Sequence, residues 1–446
     1  MDKTNRASGL DYAKGSIPGL FMKVFLPTLA GMIFNALITI IDGVFVGRGV
    51  GPDGIAAVNI IAPLFMITTG IGLMFGIGGS VTAGIALASK DNIKANRIMT
   101  SSFVFSTAII ALLVLGAFVF TDGVASLLGS SERLMDKTTG YLLYLLPGII
   151  PLMWQSIGMM VIRLDGSPKY AMLCNAIPAV LNVVLDWWFV FPLGMGVRGA
   201  ALATSISCIV GGTMALAYFR WSYVLKFTRH LEGSLRMVKN QIVIGSSAFI
   251  TEIAMSVMMF TGNIVFMRFY GEAGVAAYSI ACYLFPLIFM INNAVAQSAQ
   301  PIISVNYGCG DRRRVREGLR VSLRAAVICG ILASLGIGVG AKAIVEMFIP
   351  ASSEAGQLAV GGLPIYSTAA IFFAINIAFI GFYQSIEKSM TALVLTLLRG
   401  IIILVPMFLV LPAVFPAWGM WGTIPATEMI TLGITLGTYR RLCKQG

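Results

Sequence analysis

The chain contains a long internal repeat, and both copies lie in strongly apolar sequence. The first copy reads IDGVFVGRGVGPDGIAAVNIIAPLF and the second reads GNIVFMRFYGEAGVAAYSIACYLF. A shift of 220 residues places Arg48 on Arg268 and Gly51 on Gly271. A repeat of this length in an apolar chain is typical of two homologous helical bundles. The sequence therefore predicts a duplicated membrane protein.

The composition excludes an ordinary soluble domain. Hydrophobic residues make up 57% of the 446 positions and charged residues only 11%. Because about a quarter of an average soluble domain is charged, this chain has too few charges to cover a surface in water. The net charge is +12. Its basic residues are scattered between apolar runs, which favours the positive-inside pattern of membrane proteins over nucleic-acid binding.

Twelve segments are long and apolar enough to span a bilayer, which takes about 20 residues. They begin near Ile17, Ile55, Ile98, Leu134, Tyr170, Gly199, Val243, Val275, Val321, Leu358, Met390 and Met420. A basic linker at about 220–240 divides an N-lobe (1–225) from a C-lobe (226–446). We therefore predict an all-α integral membrane protein of twelve transmembrane helices in two six-helix lobes.

The lysines and arginines predict the orientation of the spans. Most of them fall on the side of the N-terminus, so we expect both termini to be cytoplasmic. The opposite side keeps only Arg48, Arg133, Lys137, Arg198, Arg268 and Lys342. Because each lobe holds an even number of spans, the pseudo-twofold axis relating the lobes should run along the membrane normal, with a cavity between them.

No catalytic signature is present. The sequence contains no GxSxG, HExxH, P-loop or kinase motif, so we expect neither an enzyme nor a bound cofactor. The stretch GIGGS at 76–80 resembles a glycine-rich phosphate loop, but no lysine follows it. Close packing of helices is the better interpretation of these glycines.

Ionisable and polar residues inside the N-terminal spans form the first candidate site. Asp42 ends the first span, Asn182 and Asp186 share one face of the fifth, and Thr204 lies on the sixth. Charges inside a membrane are costly and are default functional candidates. Two carboxylates, an amide and a hydroxyl can bind a proton or a sodium ion. The spacing leaves open the alternative that Asp42 and Asp186 only cap helices at the water boundary.

The C-terminal half does not repeat this set, since Gly262 stands opposite Asp42. Arg399 and Glu428 are further charges within its spans, and they are partners either of each other or of Glu252. A purely structural ion pair is the alternative to a functional role. Polar and aromatic residues elsewhere on the spans predict a substrate cavity. Its expected members are Asn35, Glu252, Ser256, Asn263, Asn293, Gln297, Tyr366 and Tyr383.

Several fragments, taken in order, resemble a known family. They are IDGVFVGRGVGPDGIAAVN, GIGGSVT, NVVLDWWFVFPLGMGVRGAALAT, GEAGVAAYSI and AQSAQPIISVNYGCGD. Together they are similar to the multidrug and toxic compound extrusion (MATE) transporters, and most to the bacterial MepA/DinF-like branch. This resemblance implies cation-coupled antiport, with cation coupling at the matching residues Asp42, Asn182, Asp186 and Thr204. The C-lobe acidic site of another branch is not expected, because span ten lacks an aspartate.

The resemblance also implies partners and a location. We expect export of organic cations and amphiphilic drugs by alternating access, with H⁺ or Na⁺ as the coupling ion. Sodium would bind at Asp42 and Asp186. The expected setting is the bacterial cytoplasmic (inner) membrane, with the lipid bilayer as partner, no nucleic acid, and a monomeric chain. Two alternatives stay open: a flippase for a lipid-linked saccharide or another amphiphile, and a membrane receptor or sensor.

Overall fold

The computed structural model describes residues 10–229, 231, 234–415 and 418–445. Within them the chain forms fourteen α-helices and no strand. The first seven are α1 (Ile17–Gly49), α2 (Pro52–Ala88), α3 (Asn92–Val119), α4 (Thr121–Leu127), α5 (Met135–Leu164), α6 (Pro168–Val190) and α7 (Gly196–Tyr218). The others are α8 (Ser234–Gly308), α9 (Arg312–Glu346), α10 (Glu354–Ser367), α11 (Ala369–Ser385), α12 (Ser389–Leu397), α13 (Leu404–Val414) and α14 (Gly419–Gln445).

Ten stretches of the described residues are long and apolar enough to cross a membrane. One of them is the 75-residue α8, whose backbone leaves the helical conformation at Gly271 (φ 59°, ψ −150°). That break divides α8 into two crossings, and α14 supplies one more. The helices thus account for all twelve predicted spans. The predictions about the termini and the middle of the linker concern residues 1–9, 230, 232–233 and 446, which lie outside the described residues.

The sequence repeat is visible in the backbone. Gly51 and Gly271, which the 220-residue shift pairs, both have positive φ, at 87° and 59°. Lys90 and Gly310, also 220 residues apart, have φ of 61° and 76°. Left-handed backbone is uncommon outside glycine, so its recurrence at paired positions shows that equivalent turns join equivalent helices.

The described residues divide into two compact units. Unit 1 contains the residues up to Phe249 together with Ser304–Arg312, and unit 2 contains Ile250–Ile303 and the residues from Arg313 onward. The boundary between the units thus lies inside α8. The lobe boundary expected at residues 225 and 226 is a boundary of the sequence repeat and stays a prediction.

Unit 1 depends on close helix contacts at glycines. A methyl group on Gly245 of α8 would lie 1.9 Å from the carbonyl oxygen of Met74 on α2. One on Gly78 of α2 would lie 2.1 Å from the carbonyl oxygen of Gln241. Because no β-carbon tolerates such distances, only glycine lets these backbones touch. Close packing at the GIGGS stretch is confirmed.

A buried glutamine fixes the same contact in register. The side chain of Gln241 donates from Nε2 to the carbonyl oxygen of Ile98 (3.0 Å) and to Ser101 Oγ (2.9 Å). Ser102 Oγ donates to Gln241 Oε1 at 3.0 Å. Both Nε2 and Oε1 of Gln241 are hydrogen-bonded, so burial of this side chain leaves no polar atom without a partner. These bonds hold the start of α8 against α3.

A buried aspartate positions the chain after α7. The Asp165 carboxylate accepts hydrogen bonds from the amides of Tyr223 (2.7 Å), Val224 (3.0 Å) and Leu225 (2.9 Å). The hydroxyl of Tyr218 donates to the same carboxylate at 2.7 Å. Several donors on one carboxylate stabilise its buried charge, so the start of the linker has a defined path across the end of α5.

The core of unit 2 is aromatic. Phe266 stacks on Tyr278 with ring centroids 4.5 Å apart, and the edge of Trp421 meets Phe266 at 5.1 Å. A methyl group on Gly262 would lie 2.3 Å from Cζ of Tyr278. The glycine opposite Asp42 in the repeat therefore makes room for a tyrosine ring.

The glycine contact in unit 1 generates a stability prediction. Gly245→Ala should lower the free energy of unfolding by about 1–3 kcal/mol, because the new methyl group overpacks a helix contact. Thermal unfolding of the purified protein in detergent measures this loss. Gly336→Ala on α9 is the matched control, since no atom lies within 4 Å of the methyl position there. Equal unfolding temperatures for the two variants would contradict the predicted role of Gly245.

Candidate functional site

Two carboxyl groups meet inside unit 1. Asp42 lies on α1 and Asp186 on α6, and these helices pack against each other. The two carboxyl groups lie close enough to interact electrostatically with each other. Asp186 is 0% exposed. Among the described residues, no protein donor outside this pair reaches either Oδ of Asp186 or Oδ1 of Asp42.

An amide and a hydroxyl lie on the neighbouring turns. Asn182 is 5% exposed and stands one turn before Asp186 on α6. Its Nδ2 donates to Thr204 Oγ1 of α7 at 3.5 Å, a long hydrogen bond. The buried Tyr141 of α5 interacts electrostatically with both carboxyl groups. The structure thus brings together the residues that the sequence predicts for cation coupling and adds Tyr141.

This arrangement does not suit helix capping by Asp186. A capping carboxylate accepts hydrogen bonds from free amides at a helix start, whereas no such donor reaches Asp186 and α6 continues to Val190. Two ionised carboxylates in contact away from water repel each other. A proton shared between them, or one small cation on their oxygens, removes that repulsion. Carboxyl, amide and hydroxyl oxygens are hard ligands that suit such a cation.

The described residues contain no group of three or more His, Cys, Asp or Glu side chains placed to hold a metal ion. The oxygens available at the carboxyl pair are those of two aspartates, one asparagine and one threonine. This set supplies fewer oxygens than the about six to eight that calcium takes.

The residues predicted to line a substrate cavity differ widely in their surroundings. Asn35 and Asn263 are exposed on their helices, Glu252 and Asn293 are half-buried, and Gln297 is buried. Ser256 of α8 is exposed and takes part in an interaction of its own.

The two predicted tyrosines are core residues of unit 2. Tyr366 is 2% exposed, and its ring lies 6.5 Å from that of Trp421. Tyr383 is 1% exposed and packs on Phe382 at 5.6 Å. Neither hydroxyl has a hydrogen-bond partner among the described residues. The role of the predicted cavity residues stays a prediction.

The two charges in the last spans pair with each other. Arg399 Nη2 donates to Glu428 Oε1 at 2.6 Å, and Nε donates to the same oxygen at 3.1 Å. The side chains are 6% and 4% exposed. Of the alternatives that the sequence leaves open, mutual pairing is the one observed, and Glu252 is not a partner.

Further groups complete this ion pair. Asn376 Nδ2 donates to Glu428 Oε2 at 2.8 Å and to the main-chain oxygen of Glu428 at 2.9 Å. The guanidinium of Arg399 lies 4.2 Å from the centroid of the Phe373 ring, a cation–π contact. Arg399 itself belongs to a π-helical turn, Leu398–Ile402, between α12 and α13. Such turns are rare and re-aim side chains at specific sites.

A small cavity adjoins the ion pair within unit 2. Its lining combines the two charged side chains with thioethers, aromatic rings and aliphatic groups from α8, α11, α13 and α14. The lining residues are Thr251, Ala254, Met255, Met258, Phe285, Phe289, Phe373, Arg399, Gly400, Leu404, Ile424 and Glu428. Sequence periodicity gave no signal for this grouping, because its members come from distant helices.

Helices long enough to cross a membrane, a repeated backbone and ionisable groups buried in each unit define a multi-pass membrane protein built like a secondary transporter. The family profile of MatE matches residues 27–188 and 247–409, one segment in each half of the chain. The chain belongs to the MatE family. The resemblance noted in the sequence is thereby confirmed.

Relatives and solved structures agree along the whole chain. The multidrug export protein MepA of Staphylococcus haemolyticus (strain JCSC1435) is 25% identical over 423 residues, which cover 94% of this chain and 92% of that protein. MepA of Staphylococcus aureus (strain MRSA252) is 24% identical over 435 residues, covering 96% and 95%. An outward-facing multidrug resistance MATE family transporter of the MOP superfamily superposes with a TM-score of 0.92 over 99% of both chains, at 22% identity. The predicted MATE-like, all-helical fold of twelve spans is confirmed.

The ion pair of unit 2 generates a second prediction. Arg399→Leu should lower the free energy of unfolding by about 3–5 kcal/mol, because it leaves the Glu428 carboxylate buried without its partner. The double variant Arg399→Leu/Glu428→Leu should recover most of this loss, since apolar residues often replace a buried pair without net destabilisation. Thermal unfolding in detergent measures both variants.

The same two variants separate a structural from a transport role. Asn376 keeps its hydrogen bond to the main-chain oxygen of residue 428 in the double variant, so the helix contact survives. If the pair is structural, the double variant should transport as the wild type does. A double variant that is as unstable as the single one would contradict the predicted energetics.

Proposed function

We propose that the protein is a cation-coupled antiporter that exports organic cations and amphiphilic drugs by alternating access, with H⁺ or Na⁺ as the coupling ion. The observation that carries this proposal is the contact between Asp42 and Asp186 inside unit 1. The drug-export part is supported by the relatives, which are named multidrug export proteins. Export fits the cytoplasmic membrane as the site of action.

Ion loading changes the force between two helices. When both carboxyl groups are ionised, their repulsion acts directly between α1 and α6, because one carboxyl group stands on each helix. A proton or a sodium ion between them replaces that repulsion with attraction. The packing of α1 on α6 therefore depends on whether the ion is bound.

The first helix has the means to respond. It contains Pro27 in its interior, and proline removes one backbone hydrogen bond and allows a helix to bend. Near that proline, Gly31 lets α1 approach α6 closely, since a methyl group there would lie 3.5 Å from Cα of Met172. The ion binds at Asp42 near one end of α1, and Pro27 lies towards the other end. Bending at Pro27 gives α1 two arrangements, one straight and one bent.

Antiport follows from linkage between the two ligands. If the bound ion favours the arrangement of α1 with low affinity for the drug, the drug must favour the arrangement with low affinity for the ion. The side-chain oxygens of Asn182 and Thr204 are the further ligands beside the carboxyl pair. Their positions set which ion binds. The size of such a coupling is typically about 5- to 150-fold in affinity.

The proposal is tested by efflux of a fluorescent organic cation from proteoliposomes under an imposed pH or sodium gradient. Asp42→Asn and Asp186→Asn should each abolish the dependence of efflux on the ion gradient, since an amide can neither ionise nor carry the charge that holds the coupling ion. Asp122→Asn is the matched control, because Asp122 is an exposed carboxylate on the short helix α4. The gradient that drives efflux identifies the ion.

Two outcomes would contradict the antiport proposal. In the first, the Asp42 and Asp186 variants transport with unchanged dependence on the gradient. In the second, wild-type efflux is indifferent to both gradients, and lipid translocation by a flippase then becomes the reaction to measure.

A further inference from the structure

The start of α9 carries four exposed arginines on one face. They are Arg313, Arg316, Arg320 and Arg324, called here the α9 arginine stripe. At 3.6 residues per turn they fall within about 80° of arc and extend over about 16 Å along the helix. All four belong to unit 2. None of the salt bridges found within the described residues involves them.

The basic character extends to a second helix. Arg316 and Arg320 both act electrostatically on Tyr439 of α14, so the end of α14 lies beside the stripe. That end adds Arg440, Arg441 and Lys444, all exposed. Between Arg312 and Arg324 the sole acidic residue is Glu317, and residues 439–444 contain none. The patch is therefore strongly positive.

The stripe continues into an apolar surface. Ile328, Ile331 and Leu335 follow Arg324 on the same face of α9 and are 58%, 39% and 57% exposed. Among the candidate spans, α9 is the least covered by the rest of the protein, with 17% of its apolar window buried. This face of α9 is accordingly a lipid-facing surface, and the four arginines lie at its N-terminal end.

The position of the stripe distinguishes it from charge that only sets orientation. The positive-inside rule explains the sign of loop residues, but it does not require four arginines in register on one helical face. Arg324 lies one turn from exposed isoleucine, where a guanidinium can no longer be fully hydrated. A charge at that depth turns towards the interface and pairs with an anion. Guanidinium groups bind phosphate oxygens in bidentate fashion.

We propose that the α9 arginine stripe and the adjoining apolar face bind an anionic phospholipid. The phosphate of the headgroup contacts the guanidinium groups, with Arg440, Arg441 and Lys444 closing the other side. An acyl chain lies along Ile328, Ile331 and Leu335. Basic surfaces next to membrane helices are recognised sites for anionic headgroups. The site is independent of the transport reaction.

Native mass spectrometry of the purified full-length protein tests the proposal. The protein is titrated in neutral detergent with phosphatidylglycerol and, separately, with phosphatidylcholine of the same acyl chains. We expect the wild type to bind phosphatidylglycerol at least tenfold more tightly, an order-of-magnitude preference in line with several basic residues at the surface. The variant Arg313→Gln/Arg316→Gln/Arg320→Gln/Arg324→Gln should lose that preference.

A matched control removes the same charge elsewhere. The variant Lys226→Gln/Arg229→Gln/Arg236→Gln/Lys239→Gln takes four exposed basic residues from the linker region and should keep the preference of the wild type. If the quadruple stripe variant does not fold, Arg320→Gln/Arg324→Gln replaces it, with a smaller loss expected in the same direction. Monodispersity and circular dichroism check the folding of each variant.

The proposal is overturned by any of three results. The wild type shows no preference for the anionic lipid, the stripe and control variants lose affinity equally, or the folded stripe variants keep the preference.

A competition experiment distinguishes binding of a lipid from binding of free phosphate. Chain-free glycerophosphoglycerol should compete at least about tenfold less well than the lipid, because it lacks the buried methylenes that each add to binding. Equal competition would show a phosphate site and would also refute a lipid site.

Discussion

The absence of water inside a bilayer is the constraint on which this structure depends. Each backbone amide there must find its partner within the protein, so every crossing is helical. The same constraint makes each buried charge expensive, and the chain keeps few of them. The two that lie furthest from solvent in the last spans, Arg399 and Glu428, neutralise each other. In unit 1, Asp42 and Asp186 meet without a cationic side chain between them. This pair therefore lacks the neutralising partner that the pair in the last spans has.

Much of the fold was predictable because duplication and hydropathy are both properties of the sequence itself. The 220-residue shift anticipates that equivalent turns recur, and Gly51 and Gly271 show this. Further along, Gly166 and Glu387 have φ of 88° and 58° with a spacing of 221 residues. A search for glycine alone would miss Glu387, since a left-handed glutamate leaves no compositional signal. The presence of a helix thus follows from the hydropathy pattern and the repeat. The identity of the residue that adopts positive φ in a turn does not.

The candidate site was predictable where its residues share one helix and the family resemblance covers the others. Asn182 and Asp186 follow from helical spacing, but the partner of Arg399 does not, because the sequence leaves both Glu428 and Glu252 open. Packing of distant helices decides such choices. Asn376 and the π-helical turn that aims Arg399 have no periodic signature. Tyr366 and Tyr383 are buried, and their expected place at a substrate cavity stays a prediction.

The two halves of the repeat have diverged in their electrostatics. At the position of Asp42, unit 2 has Gly262, and the ring of Tyr278 occupies the space where a side chain would be. A carboxyl group in unit 1 thus corresponds to apolar packing in unit 2. Since Arg399 already balances Glu428, an ion entering unit 2 would have to break a satisfied pair before gaining a ligand. An ion entering unit 1 relieves an existing repulsion. Under the proposed coupling, ion-dependent change therefore begins between α1 and α6, where the two carboxyl groups lie.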